Sequence, residues 1–164
     1  MNILFFICPT DFLESAIEGN FNGNNYFYTS LGNSIKLEDK KTMEQIENFI
    51  KEKYISKVVF VLKENNTIIS DIMNDYEYGN LLVASNLNKE INHHKFMMSS
   101  YNNKSILQKL CTSGHLNSKV ILMLNILEPK FPNIEIGALL HTETHPYFID
   151  VIHPLVTTVY LALN

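Results

Sequence analysis

The stretch that decides the fold is Thr42–Leu62, TMEQIENFIKEKYISKVVFVL. Its first four residues fit a capping box, in which Thr42 and Gln45 satisfy each other's free backbone amides at a helix start. Met43, Ile46, Phe49, Ile50 and Tyr54 then recur at helical spacing, with Glu and Lys filling the other face. After Ser56-Lys57 the pattern changes. Val58-Val59-Phe60-Val61-Leu62 is apolar without alternation, as suits a strand buried on both faces. Upstream, Ile3-Leu4-Phe5-Phe6-Ile7 is a second such run, closed by the turn-forming Cys8-Pro9-Thr10-Asp11. Thr10 or Asp11 can cap a short helix through Ile17 that ends near Gly19. Asn20–Asn25 reads as a loop, and Tyr26-Phe27-Tyr28-Thr29 as a strand followed by a turn at Gly32-Asn33. Strand, helix and strand in this order form a βαβ unit, whose crossover should be right-handed.

Downstream, Lys63–Thr67 is a polar turn and Ile68–Tyr78 has helical character. Asn80–Ser100 has no decisive pattern. Ile106, Leu107 and Leu110 suggest a short helix stopping near Gly114. A further helix, capped by Asn117 or Ser118, presents Val120, Met123, Leu124 and Leu127 and is stopped by Pro129. Ile134–Leu140 and Tyr147–Ile152 read as strands, and Leu155–Leu163 as a terminal strand or interface arm. The expected architecture is one α/β domain over 1–164, with a mainly parallel central β-sheet flanked by helices and a C-terminal arm from about 153 to 164. Ligands of such sheets bind past the carboxyl ends of the strands, where the turns after Ile7 and Leu62 meet.

Composition narrows the function classes. The chain has 164 residues, of which 46% are apolar and 18% charged. A domain of this length buries roughly 70% of its unfolded surface and needs no disulfide or metal to hold a core. All 13 basic residues are lysine, none is arginine, and asparagine occurs 20 times. AT-rich coding bias accounts for this as readily as function does. Even so, it excludes an essential arginine finger, a guanidinium clamp or an Asp–Arg pair. A net charge of −4 with no long basic run disfavours a nucleic-acid partner. No apolar run approaches the ~20 residues that span a bilayer, and Ile3–Ile7 is too short for a signal-peptide core. The expectation is a cytoplasmic protein, with no membrane association and with Cys8 and Cys111 reduced.

The two strand-end turns carry a resemblance. The chain resembles the β-class carbonic anhydrases, zinc enzymes that interconvert carbon dioxide and bicarbonate. Their first strand ends in Cys-x-Asp-x-Arg, which Cys8-Pro9-Thr10-Asp11-Phe12 parallels. Their second strand runs into Arg-Asn-Ala-Gly-Asn, where this chain has Thr29-Ser30-Leu31-Gly32-Asn33. Their third ends in Gly-His-x-x-Cys, where Leu62-Lys63-Glu64-Asn65-Asn66 stands. The strand Ile134–Leu140 and its hairpin to Tyr147–Val151 look like the family's last strands. The resemblance implies a β-carbonic-anhydrase-like fold and a homodimer, for which the apolar tail would supply interface.

The resemblance also implies a dismantled zinc site. Cys8 keeps the first ligand position, Lys63 replaces the histidine and Asn66 the second cysteine. Thr10 stands for the aspartate and Phe12 for the arginine, while Asp11 compensates only if the turn slips by one residue. Cys8, Thr10, Asp11, Asn33, Lys63 and Asn66 would then line a vacated pocket, with no metal, no cofactor and no catalytic residue. The expectation is a non-catalytic binding or interaction module. The alternatives are a metal-dependent enzyme with a rearranged ligand set, or a small-anion binder in which Lys63 replaces the lost positive charge beside Asn33, Asn66 and Thr10.

The remaining constellations have plainer readings. His141-Thr142-Glu143-Thr144-His145 before Pro146 reads as a polar hairpin turn, although His141, Glu143 and His145 would share a face in an extended chain, with His153 eight residues on. His93-His94 reads as exposed; the functional version has one of the pair lining the vacated pocket. A rearranged metal set would join Cys8 to histidines from 93, 94, 115 or the 141–153 hairpin. Cys8 is either inert and buried or a thiol activated by a helix N-terminus, and Cys111 belongs to the core. No dinucleotide or Walker glycine pattern and no Gly-x-Ser-x-Gly elbow occurs.

Overall fold

The computed structural model describes residues 1–75, 82–98 and 100–151, with backbone alone for 82–85. Five strands form one sheet: β1 (Asn2–Ile7), β2 (Asn24–Thr29), β3 (Lys57–Lys63), β4 (Glu135–His141) and β5 (Phe148–Asp150). Their order is β2-β1-β3-β4-β5; all pairings are parallel except that of β4 with β5. Five α-helices complete the fold: α1 (Glu14–Asn20), α2 (Lys40–Glu52), α3 (Thr67–Met73), α4 (Leu82–Met97) and α5 (Lys104–Leu127). This is the expected α/β class.

The unbroken apolar strands are buried on both faces, as their lack of alternation requires. Leu4, Phe6, Val58, Phe60 and Leu62 pack under α2, α3, α4 and α5. Their neighbours Ile3, Phe5, Ile7, Val59 and Val61 point the other way, against Leu13 and Ile17 at the start of the chain. Phe6 stacks on Phe60 with ring centroids 4.8 Å apart, which ties the two central strands together.

Several boundaries differ from expectation, each for a local reason. The helix expected from Thr10 or Asp11 is broken. Pro9–Asp11 forms one 3-10 turn, Phe12 adopts φ 51°, and α1 begins at Glu14. β2 starts at Asn24, inside the expected loop. The capping box at Thr42 is not used. α2 begins three residues earlier, and Asp39 caps it by accepting from the Thr42 amide at 2.8 Å and the Thr42 hydroxyl at 2.7 Å. Tyr54 lies past the end of α2 at φ 50° and is 84% exposed, so it leaves the helix's buried face.

α3 ends at Met73, short of the expected span, whose end at 76–78 falls outside the described residues. The undecided segment is largely α4. The two short helices expected around Gly114 are one 24-residue helix. Gly114 does not stop it, because α4 crosses there: a Cβ at Gly114 would sit 2.7 Å from Nδ1 of His94. The glycine is a point of close helix approach instead of a C-cap. Ile152, His153 and the apolar tail 155–163 lie outside the described residues.

Candidate functional site

The carboxyl ends of β1, β2 and β3 carry the candidate residues. At the end of β1 the 3-10 turn at Pro9 directs Asp11 inward, where it is 2% exposed, and Phe12 outward, where it is 81% exposed. One Asp11 oxygen accepts from the backbone N–H of Lys63 at 2.9 Å, the other from the side-chain amide of Asn66 at 2.8 Å. Asn66 in turn caps α3 by accepting from the amide of Ile69 at 3.0 Å, and its backbone carbonyl accepts from Gln108 on α5 at 3.2 Å. Asp11, and not the exposed Thr10, turns inward to the end of β3. Burial raises the Asp11 carboxyl above its ordinary value; the Lys63 amide, the Asn66 amide and the Lys63 charge oppose this in part.

Cys8 and the Gly32-Asn33 turn form a second group beside the first. The Cys8 sulfur accepts from the Gly32 amide at 3.1 Å and lies 3.1 Å from the hydroxyl of exposed Thr10. The Asn33 amide donates to the carbonyls of Phe6 at 3.2 Å and Val61 at 3.1 Å, clamping β1 to β3. Its oxygen is buried without a partner. A positive φ at both Gly32 and Asn33 makes this turn possible. Cys8 is wholly buried, which supports the inert reading of its thiol; Cys111 is wholly buried too, and burial pushes its thiol up to about 11.

The six residues therefore gather at one end of the sheet, but as two hydrogen-bonded groups and not as a shared pocket. None of them lines either of two cavities found among the described residues. Zinc of the family's type needs three protein ligands and an open position. The donor set does not fit. Lys63 brings an ammonium and Asn66 an amide, both lone-pair-bearing oxygens of Asp11 are engaged, and Cys8 is the single cysteine at the site. Among the described residues no three His, Cys, Asp or Glu side chains gather as a metal site.

Among the described residues, the histidines do not complete one. The segment is the polar turn read from the sequence: the ring of His141 packs on Phe148 at 5.1 Å and that of His145 on Tyr147 at 5.7 Å. Burial first, then the Lys63 charge, holds His141 below its ordinary value. His94 is half-buried over Gly114, and exposed His93 lines a cavity away from Cys8.

Behind the Gly32 turn lies a charged cluster that sequence reasoning did not assemble. His115 is wholly buried on α5, with Nε2 2.8 Å from the carbonyl oxygen of Gly32. A carbonyl only accepts, so Nε2 carries a proton. Nδ1 lies 2.9 Å from Glu90 on α4, off the line of a well-formed hydrogen bond, and Lys119 reaches the other Glu90 oxygen at 3.1 Å. Burial alone would raise Glu90; His115 and Lys119 outweigh it and bring the carboxyl down to about 2. Spacing could have paired His115 with Lys119, one helical turn apart. Glu90 sits in the segment without a clear pattern, so nothing in the chain pointed to it.

No family model matches the sequence, and no curated protein matches it either. Solved structures do. The β-carbonic anhydrase CafA of Aspergillus fumigatus matches with a TM-score of 0.75 over 98% of this chain and 81% of its own, at 14% identity. One of two tetrameric β-carbonic anhydrases of Sordaria macrospora gives 0.73 over 90% and 79%, at 11% identity. The Coccomyxa β-carbonic anhydrase, in complex with acetazolamide, gives 0.71 over 92% and 72%, at 8% identity. At these identities the likeness is one of fold, and the fold of this chain is that of the β-carbonic anhydrases.

Proposed function

We propose that this chain is a non-catalytic protein of carbonic-anhydrase-like fold, acting as a binding or interaction module without zinc. The observation that carries the reading is Asp11. Its carboxylate occupies the junction of the two strand-end turns and is closed by the Lys63 amide and the Asn66 side chain. A group that bridges two turns in this way serves the fold, and the residues at the other ligand positions are poor zinc donors. Homodimerisation belongs to the same proposal. Among the described residues β2 is an edge strand of the sheet, which a second copy can extend, and a neighbour of this fold is described as tetrameric. A cytoplasmic location is proposed with it; among the described residues no helix is long and apolar enough to cross a membrane, and both cysteines are free.

Metal analysis of the purified protein, joined to a carbon dioxide hydration assay, tests the proposal. The expected result is substoichiometric zinc and hydration at the uncatalysed rate. About one zinc per chain together with hydration activity would favour a rearranged ligand set and overturn it.

A further inference from the structure

The second turn of the fold opens onto a cavity of about 390 Å³, between the segment after Asn33 and helices α4 and α5. Its volume lies in the range of small-molecule sites, about 300–1,000 Å³. The floor holds Ser34, Glu90 and Lys119. Ser34 is 8% exposed, and its hydroxyl oxygen is buried without a hydrogen-bond partner. Such a group is costly unless something binds it. The Glu90 carboxylate is already shared between Lys119 and the ring of His115. The Lys119 ammonium therefore offsets the Glu90 charge on this side of the cavity. Exposed Lys36, Lys89 and His93 ring the mouth, opposed by Glu38.

From this placement we infer that the cavity binds a small anion carrying a carboxylate or phosphate group. On binding, the covered Ser34 hydroxyl turns toward the cavity to donate to the anion, and Lys36 and Lys89 close on it from the rim. The site is separate from the strand-end residues, since neither Lys63 nor Cys8 lines it. The inference therefore does not depend on whether the protein carries zinc.

The test is calorimetric titration of the full chain at low ionic strength, with inorganic phosphate, citrate and, as a neutral control, glycerol as probes. Phosphate or citrate is expected to bind and glycerol not to. The double variant Lys36→Gln/Lys89→Gln changes only exposed side chains, and it should weaken binding by about tenfold or more through the loss of two charge-assisted contacts. Ser34→Ala should weaken it further, while Lys40→Gln and Lys63→Gln leave it unchanged. The inference falls if neither anion gives a titratable heat, if the double variant binds as well as the parent, or if binding is lost in Lys63→Gln instead. Circular dichroism of each variant separates a lost site from a lost fold.

Discussion

Asp11 and Glu90 are both carboxylates sunk into the same end of the molecule, yet they are shifted in opposite directions. Asp11 meets two neutral donors, the Lys63 amide and the Asn66 side chain, and burial keeps its carboxyl above the ordinary value. Glu90 is half-buried, lies between His115 and Lys119, and is drawn down to about 2. Desolvation acts on both; at Glu90 the His115 ring and the Lys119 ammonium outweigh it and decide the sign. The difference separates two roles. Asp11 joins the turns after β1 and β3, where the resemblance would place a zinc centre. Glu90 holds charges beneath a cavity whose Ser34 hydroxyl is left unpartnered.

The hardest test of this contrast is Asp11→Ala. It strands the Lys63 N–H and the Asn66 amide in a buried site, and should cost about 3 kcal/mol in urea unfolding. A cost below about 1 kcal/mol would show that the turns hold together without it. The Asp11 contribution also has a defined pH sense. Its folded value is raised, so the contribution is fully present below the unfolded value of 3.8 and fades as pH rises through the folded one. Asp11→Asn should lack that dependence.

Glu90→Gln comes next. It leaves the 13%-exposed side chain of Lys119 without its counter-charge and should cost about 2 kcal/mol near neutral pH. Glu90 has a lowered folded value, so its stabilisation is present above 4.5 and is lost as pH falls toward about 2. Unfolding measured across that window should fall more steeply for the parent than for Glu90→Gln. Equal slopes would break the comparison with Asp11.

Gly114→Ala tests the scaffold that brings α4 and α5 together. Alanine favours the helix, but its Cβ would meet the His94 ring at 2.7 Å. The clash should win by about 1 kcal/mol, and removing the ring in Gly114→Ala/His94→Ala should recover most of the loss. The smallest effect belongs to Lys36→Gln/Lys89→Gln. Both side chains are exposed, so thermal stability without ligand should stay within about 0.5 kcal/mol of the parent. A larger loss would mean that the rim lysines support the fold.

Periodicity and apolar runs made much of the sheet legible. Ile3–Ile7 and Val58–Leu62 read as doubly buried strands because a strand covered on both faces has no reason to alternate, and they lie at the centre of the sheet. The strand-end residues were also legible by position, since open α/β sheets place their turns there. Helix α4 was not. Gly114 carries the local signature of a stop, and only the packing of α4 against it shows why the helix runs through.

By itself, then, the sequence determined the α/β class, the central strands and the absence of arginine, and it places lysine and asparagine where the resemblance would put histidine and cysteine. Those follow from residue type and short-range spacing. Tertiary structure decided which of Thr10 and Asp11 turns inward, that Glu90 meets His115 and Lys119, and that a cavity opens at Ser34. Each depends on contacts between residues more than twenty positions apart in the chain, where the direction of a side chain is set by the packing of whole helices.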